Sequence, residues 1–217
     1  MKIKNLLLVA LLGMSANALA DEFKVADVNI EAGKQVTVDV ELVNPSVAYC
    51  IATVDLMLPE GIKVASTKNK KGEDVYTKTC TLNEDRIEDH TLTVGPVEGG
   101  YRFLAKSDTN SEFYEKEGAL FTVTLEAAET VSTGEYTAKL IADGEAAGSK
   151  LQVCCDAKGN QYFLKDVEFK INVNNATGIR SIGAEDSNAT IYNLNGQVVK
   201  KAGKGLYIQN GKKVVVK

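Results

Sequence analysis

The chain has 217 residues, 44% of them hydrophobic and 25% charged, which is enough for one large core or a core with a small appendage. It carries 25 basic and 29 acidic side chains, yet from Ser187 to the end there are six lysines and no acidic residue. The rest is therefore strongly acidic, which argues against nucleic acid as a partner, because phosphate binding requires lysine and arginine.

The first twenty residues predict a secretory signal peptide. Lys2 and Lys4 precede an apolar run from Leu6 to Met14, and Ala18-Leu19-Ala20 is a small-x-small cleavage site. The run is short for a membrane span, so we expect cleavage after Ala20, with a retained anchor as the alternative. No other apolar run in the sequence is long enough to cross a bilayer. The prediction is a protein secreted or held at the outer-membrane surface.

Two strands with alternating apolar residues dominate the stretch from Gly33 to Val64. Alternation at period two is typical of a sheet with one buried and one exposed face. In the first strand the predicted inward side chains are Val36, Val38, Val40 and Leu42, and the outward ones are Gln35, Thr37, Asp39 and Glu41. In the second strand the predicted inward set is Cys50, Ala52, Val54, Leu56 and Leu58, and the strand ends at Pro59-Glu60-Gly61.

Further short strands follow the same pattern with turn residues between them. They are predicted, in chain order, at 23–30, 62–65, 75–82, 91–94, 101–105, 119–127, 134–142, 151–153 and 162–173. Nine or ten strands without a convincing amphipathic helix predict an all-β sandwich or jelly roll over residues 21–173.

A second, smaller β unit is predicted at the C-terminus. Residues 174–188 are small and polar and are interpreted as a linker. Within residues 189–217, Asn195-Gly196 and Asn210-Gly211 each lie between apolar segments, which predicts two hairpins with two-residue type I′ turns. Because few apolar side chains are available to this unit, it should be marginally stable alone.

Several segments of the body resemble the cohesin family and its relatives among carbohydrate-binding modules. The similarity covers most of residues 23–142 and is carried, in order, by AGKQVTVDVELVNPSV, IATVDLMLPEGIKV, GYRFLAKSDTNSEF and GALFTVTLEAAETVSTGEYTAKL. The resemblance implies a cohesin-like β-sandwich of the jelly-roll or immunoglobulin-like class. It also implies a non-catalytic module that binds a dockerin-like protein module or serves as an adhesive scaffold part.

The tail is similar to C-terminal sorting domains of the type IX secretion route. The matching segments are IYNLNGQVVKK and KGLYIQNGKKVVVK, and the residues carried over are Tyr192, Asn193, Gly196, Gln197, Val198, Gly205, Tyr207, Lys212, Lys213 and Val214. The resemblance implies recognition of the tail at the outer membrane. A purely structural role is the alternative.

Four cysteines, Cys50, Cys80, Cys154 and Cys155, are candidates for disulfides in an exported protein. Three connectivities are open. A bond between the adjacent Cys154 and Cys155 is strained, so we expect each to pair elsewhere, with Cys50 and Cys80 in some order. A zinc site is disfavoured because the cysteines lack C-x-x-C spacing and the sequence has a single histidine, His90.

Catalytic patterns are weak throughout the sequence. A nucleophilic site would need His90, which lies beside Asp89 in a polar segment and is interpreted as an exposed loop histidine. Acidic residues such as Asp55, Glu60, Glu112 and Glu117 could supply carboxylates for glycoside hydrolysis, but no spacing selects a pair. We predict that the protein is not an enzyme and needs no cofactor.

Two weaker ligand sites are predicted around the acidic loop 107–118. Asp108, Asn110 and Glu112 place oxygen-bearing side chains at alternate positions, as calcium loops do. Tyr101, Phe113 and Tyr114 flank the same loop and could stack on sugar rings, with core packing as the alternative. The function predicted is therefore a secreted adhesion module that binds a protein module or a polysaccharide, or a structural surface subunit.

Overall fold

The computed structural model describes residues 20–174, 180–181, 190–199, 202–209 and 212–216. The predicted signal peptide, apart from Ala20, lies outside these ranges, as do most of the predicted linker and the second Asn-Gly pair. In the part of the chain that is described, no helix is long and apolar enough to span a membrane.

The body is built almost entirely from strands, interrupted by one short 3-10 helix. The helix covers Glu84–Arg86, with Asn83 as its N-cap. The strands are β1 (Glu22–Val25), β2 (Val28–Glu31), β3 (Gln35–Val43), β4 (Tyr49–Met57), β5 (Ile62–Val64), β6 (Thr67–Lys68), β7 (Asp74–Val75), β8 (Cys80–Leu82), β9 (Thr91–Val97), β10 (Gly100–Lys106), β11 (Ala119–Ala127), β12 (Gly134–Ile141), β13 (Val153–Asp156), β14 (Gln161–Tyr162) and β15 (Val167–Asn174).

All of these strands except β6 and β7, which pair with each other as a separate hairpin, form two sheets that pack face to face. Sheet I has the order β1-β3-β11-β5, with β8 also paired to β11. Sheet II has the order β14-β13-β4-β12-β15-β2, and β10 and then β9 extend it from β4. All pairings in the two sheets are antiparallel except that of β2 with β15. The all-β sandwich predicted from the alternation is thereby confirmed.

The core lies between the two sheets and is filled from alternate positions of each strand. In β3 up to Leu42, and in β11 from Phe121 onward, the buried side chains follow the predicted period of two, and β11 occupies the predicted range. The stacked rings of Phe103 and Phe121, with centroids 5.2 Å apart, join sheet II to sheet I. Arg86 is also buried, and it donates hydrogen bonds to the carbonyl oxygens of Leu42, Tyr114 and Gly118.

The first predicted strand, 23–30, is two strands in different sheets. β1 pairs with β3 in sheet I, whereas β2 pairs with β15 in sheet II. The chain crosses between them at Asp27, whose carboxylate accepts a hydrogen bond from the backbone N–H of Lys170. A single short alternating stretch cannot reveal such a crossing, because both halves bury the same kind of side chain.

The start of β4 also departs from the predicted alternation. Cys155 pairs with Ile51 and Asp156 with Tyr49, so Cys50 is the extra residue of a β-bulge. Tyr49 therefore joins the core in place of Cys50, while Ala52, Val54 and Leu56 face inward as predicted. The tyrosine hydroxyl donates to a carboxylate oxygen of Asp21, at 2.7 Å.

The prediction of two disulfides is not met by the structure, in which all four thiols are free. Successive residues of β13 point to opposite faces of sheet II, so Cys154 faces the core and Cys155 does not. Cys80 belongs to sheet I, where it pairs with Val123 and packs in the core. The vicinal cysteines thus have different environments, which the sequence alone does not show.

The described C-terminal residues form a small tail sheet. Its strands are β16 (Arg180–Ser181), β17 (Ile191–Tyr192), β18 (Val198–Val199), β19 (Gly205–Gln209) and β20 (Lys212–Val216), in the order β16-β20-β19-β17-β18. β16 comes from the segment predicted as a linker and pairs in parallel with β20.

The first Asn-Gly pair does connect two strands, but not through the predicted type I′ turn. Only Gly196 has a positive φ, of 79°, whereas type I′ needs positive φ at both central residues. The backbone N–H of Gly196 donates to the carbonyl of Asn193, and the Asn193 side chain accepts from the N–H groups of Asn195 and Gln197. The result is a longer turn closed by an asparagine.

Candidate protein-interaction face

The outer face of sheet I is polar over most of its area, with the apolar Val43 at the end of β3 as an exception. Its outward side chains on β3, β5, β8 and β11 are Gln35, Thr37, Asp39, Glu41, Lys63, Thr81, Thr122, Thr124 and Glu126. Thr81 and Thr122 are in hydrogen-bond contact at 2.9 Å, and Lys63 forms an ion pair with Glu126 at 3.0 Å. The polar groups of such a surface find hydrogen-bond partners in one another and in water.

The outer face of sheet II carries apolar side chains among polar ones. Its outward side chains on β4, β10 and β12 are Ile51, Thr53, Asp55, Met57, Arg102, Leu104, Lys106, Glu135, Thr137, Lys139 and Ile141. Ile51, Met57, Leu104 and Ile141 are each half-buried. None of these four is among the described residues that pack against the core. They form an apolar surface outside the sandwich, the kind of feature that marks an interaction site when it is contiguous.

Asp55 lies at the centre of this face and is almost fully buried, with 6% of its surface exposed. Arg102, directly across on β10, donates two parallel hydrogen bonds to it, from Nε and Nη2, each 2.7 Å long. The buried amide of Gln152 donates to the same carboxylate. This arrangement raises the pKa of Arg102 through its bond to Asp55. The pair is geometrically specific, because the planar guanidinium matches the carboxylate in bidentate form.

The loop from Asp143 to Gln152 contacts the face through Gln152 and is closed by its own backbone hydrogen bonds. Gly144 donates its N–H to the carbonyl of Gln152 at 2.9 Å and accepts from the N–H of Lys150 at 2.7 Å. A side chain at Gly144 would meet the Gln152 backbone at 2.6 Å, so this close approach requires glycine. Just before the buried Gln152, the loop presents Leu151, with 52% of its surface exposed.

Asp166 fixes the start of the same loop. Its carboxylate accepts from the N–H groups of Ala142 and Asp143 and pairs with Lys139 at 2.9 Å. Although partial burial opposes ionisation, the Lys139 ammonium and the two N–H groups lower the pKa of Asp166. An ionised Asp166 therefore supports the loop that displays Leu151.

The three predicted calcium residues differ in their surroundings. Asp108 pairs with Lys106, Asn110 adopts a left-handed backbone with φ of 62°, and Glu112 is exposed. The loop is organised instead by Asp89, which accepts from the hydroxyls of Ser107 and Thr109 at 2.7 and 2.8 Å. Among the described residues no group of three or more His, Cys, Asp or Glu side chains could hold a metal ion. Calcium binding stays a prediction.

The histidine beside this loop is not the exposed residue that the sequence suggested. His90 is 7% exposed and stacks on Phe113, with ring centroids 4.4 Å apart. Its Nε2 is buried without a hydrogen-bond partner in the described part of the chain. Burial lowers the pKa of His90, against the opposing effect of Asp89 and Glu88.

The three aromatic candidates do not form one platform. Tyr101 pairs with Leu56 and contacts Tyr76 edge-to-face, whereas the N–H of Phe113 donates to the carbonyl of Tyr49. Tyr49 and Leu56 are seven residues apart on β4, so Tyr101 and Phe113 lie at opposite ends of that strand, about 23 Å apart. Phe113 is itself buried, and of the three rings only that of Tyr114 is well exposed.

The side chains of this face were not among the predicted site residues, although the sequence of β4 carries part of the pattern that marks it. On β3 the outward positions from Gln35 to Glu41 are polar and only the last, Val43, is apolar, while on β4 the outward positions include Ile51 and Met57. An apolar residue on both faces of a strand is a recognisable sign of a covered or partner-binding face. The partners Arg102 and Gln152 lie 47 and 97 residues from Asp55, and no local pattern connects them.

Known proteins resemble this chain in fold and not detectably in sequence. No family model matches the chain, and no curated protein is detectably similar to it in sequence. Solved structures do match: a cohesin–dockerin complex of OlpA and Doc918 from Clostridium thermocellum covers 72% of this chain and 100% of that one, with TM-score 0.51 and 16% identity. The fold is that of a cohesin.

Two further structures agree. The seventh ScaB type I cohesin of Pseudobacteroides cellulosolvens has a TM-score of 0.52 at 14% identity, covering 75% of this chain and 97% of its own. CaCohA2 of Clostridium acetobutylicum has the same TM-score and identity, covering 70% and 90%. At such low identity the likeness establishes the cohesin-like sandwich and leaves the partner of this chain to be argued from its own surface.

Proposed function

We propose that this protein is a non-catalytic binding module that engages a partner protein through the outer face of sheet II. The observation that carries the proposal is the set of half-buried apolar side chains on that face, arranged around the Asp55–Arg102 pair and bordered by the exposed Leu151. Interfaces of this kind combine apolar anchors with a few fixed polar groups.

The partner class proposed is a small dockerin-like module. The Clostridium thermocellum structure of the same fold contains a dockerin, Doc918, bound to its cohesin. A rigid, preformed surface suits such a partner, because the network around Asp55 already holds Arg102 and the 143–152 loop in place. Binding then requires little further ordering of this chain.

The proposal is tested by measuring binding of a panel of purified dockerin modules to the protein and to two variants, by calorimetry. Leu151→Asp places a charge at the exposed edge of the face and should weaken binding at least about tenfold. Thr124→Asp makes a comparable change on the outer face of sheet I and should leave binding unchanged.

Equal loss in both variants, or none in either, would contradict the assignment of the face. A folded protein that binds no dockerin module but binds a soluble polysaccharide would favour the carbohydrate alternative instead. In that case Tyr114→Ala is the informative variant, because Tyr114 has the exposed ring among the three candidates.

We further propose that the protein is exported and sorted to the cell surface by its two ends. The support is in the sequence: the apolar run and Ala18-Leu19-Ala20 at one end, and the tail similar to type IX sorting domains at the other. Deleting residues 189–217 should leave the protein in the periplasm, as seen by cell fractionation. Unchanged surface delivery would refute the sorting role.

A further inference from the structure

We propose that Cys50 and Cys155 form an oxidation site on the outer face of sheet II, in which Cys155 is the attacking thiol and Cys50 the resolving one. This inference is independent of the proposed partner. It assigns a chemical role to two of the four free thiols and excludes the other two.

The bulge in β4 brings the two residues together. In a β-bulge two residues of one strand oppose one residue of the other, and here Cys50 is the extra residue next to Ile51, the partner of Cys155. The Sγ atom of Cys50 lies 3.6 Å from the carbonyl oxygen of Cys155. Residues opposed across antiparallel strands have Cα separations of about 4.5–5.5 Å, within the range that a disulfide spans.

The other two cysteines are unsuited to the same reaction. Cys80 and Cys154 belong to the core, where apolar side chains from both sheets surround them. Burial raises the pKa of Cys80 to about 11, so it is almost entirely protonated at neutral pH. Cys154 points to the opposite side of sheet II from Cys155.

The different solvent exposure of Cys155 and Cys50 sets the order in which the two thiols react. Cys155 is partly exposed and Cys50 is buried, so a dissolved oxidant reaches Cys155 first. Burial raises the pKa of both thiols, with Cys155 as a further cause for Cys50 and Asp156 for Cys155. Since the thiolate is the reactive form, oxidation should be slow at neutral pH and faster in mild alkali.

The chemistry is thiol–disulfide exchange with a small disulfide such as oxidised glutathione. The Cys155 thiolate attacks one sulfur of the oxidant, forming a mixed disulfide and releasing one glutathione thiolate. The Cys50 thiolate then attacks Sγ of Cys155, closing the intramolecular bond and releasing the second glutathione. Two cysteine thiols are oxidised, one glutathione disulfide is reduced, and the two protons end on the two glutathione thiols.

Closure of this bond would join β13, the strand that follows the 143–152 loop, to the start of β4. The two cysteines are 105 residues apart, so the bond closes a long segment of the chain. Oxidation would thus fix the edge of the surface that we assign to the partner.

The test uses the purified, folded protein, first reduced and then incubated with oxidised glutathione at pH 8. Peptide mapping by mass spectrometry should find a peptide pair linked through Cys50 and Cys155, with a mass lower by about 2 Da than the two reduced peptides. A link that includes Cys80 or Cys154, or no link after equilibration, would overturn the proposal.

Two variants test the order of the steps. In Cys50→Ser the mixed disulfide has no resolving thiol, so a glutathione adduct should accumulate on Cys155. In Cys155→Ser the buried Cys50 should acquire glutathione at least tenfold more slowly than Cys155 does in the first variant. Equal rates at the two sites would contradict the assigned order. If either variant fails to fold, the mapping of the unmodified protein still decides the pairing.

Discussion

The two sheets of the sandwich each carry a carboxylate held by a cation and a glutamine amide, but in opposite surroundings. On sheet II, Asp55 is bound by Arg102 and Gln152 and is buried; on sheet I, Glu126 is bound by Lys63 and Gln35 and is partly exposed. The Glu126 side chain is 32% exposed against 8% for Asp55, and the Lys63 side chain is 59% exposed against 31% for Arg102. The same set of chemical groups therefore forms a rigid support on one face and a solvated surface pair on the other.

Between the two carboxylate clusters, the largest expected difference in stability follows from removing each carboxylate charge. Asp55→Asn weakens two charge-assisted hydrogen bonds in a buried place and should destabilise the fold by about 2 kcal/mol, allowing for the partial exposure of Arg102. Glu126→Gln should change the free energy of unfolding by no more than about 0.5 kcal/mol. Urea denaturation of both variants measures the difference, and similar values would contradict the contrast between the faces.

The two glutamines provide a second, smaller comparison. Gln152→Ala removes a buried donor to Asp55 and the anchor of the 143–152 loop, and should cost about 1 kcal/mol. Gln35→Ala removes an exposed donor to Glu126 and should be nearly neutral. Amide hydrogen exchange in residues 143–152 should rise in the first variant only. An unchanged loop in Gln152→Ala would show that Gly144 and Asp166 suffice to hold it.

The two regions should also respond to acid at different pH values. Burial lowers the pKa of His90, near the end of sheet II, so the unfolded chain takes up the proton first as the pH falls. The stability from neutral His90 is complete above the ordinary histidine pKa of about 6.5 and is lost as the pH falls through the lower folded value. Urea midpoints at pH 7.5 and pH 5.5 should therefore differ.

On sheet I the corresponding loss comes at more acidic pH. The Gln35 amide and the Lys63 ammonium lower the pKa of Glu126, so the contribution of Glu126 to stability is present above about pH 4.3 and fades below that value.

The variant His90→Phe tests the assignment to the histidine. It retains the stacking on Phe113 and should abolish the difference in urea midpoint between pH 7.5 and pH 5.5. A difference that persists in this variant would assign the acid sensitivity to another group.

The smallest effect on stability is expected at the proposed anchor. Leu151 does not pack against the core, so Leu151→Asp should change the free energy of unfolding by no more than about 0.5 kcal/mol. Leu140→Ala, on the inward side of β12, should cost about 2–5 kcal/mol, because Leu140 is fully buried. A large loss in the Leu151 variant would make this residue structural rather than available to a partner.

Alternation alone was sufficient to predict β3, β11 and β12, because each strand buries one face and exposes the other. It failed at the bulge in β4, where one extra residue exchanges Cys50 for Tyr49 in the core. It also failed at 23–30, where the chain changes sheets. Both events depend on contacts with strands that lie far away in the sequence.

The candidate site was harder to predict than the fold for the same reason. The aromatic residues Tyr101 and Phe113 flank one loop in sequence, yet they lie at opposite ends of β4 in space. His90 was misjudged because its neighbours in sequence are polar, while its neighbour in space is Phe113. The bidentate pair of Asp55 and Arg102 depends on the register of β4 with β10, which the sequence pattern leaves open.

The central claim is that the outer face of sheet II, rather than that of sheet I, binds the partner. Hydrogen–deuterium exchange of the protein with and without a bound dockerin module tests it most directly. Binding should protect β4, β10 and residues 143–152, while β3 and β11 exchange as in the free protein. Protection confined to β3 and β11 would contradict the claim.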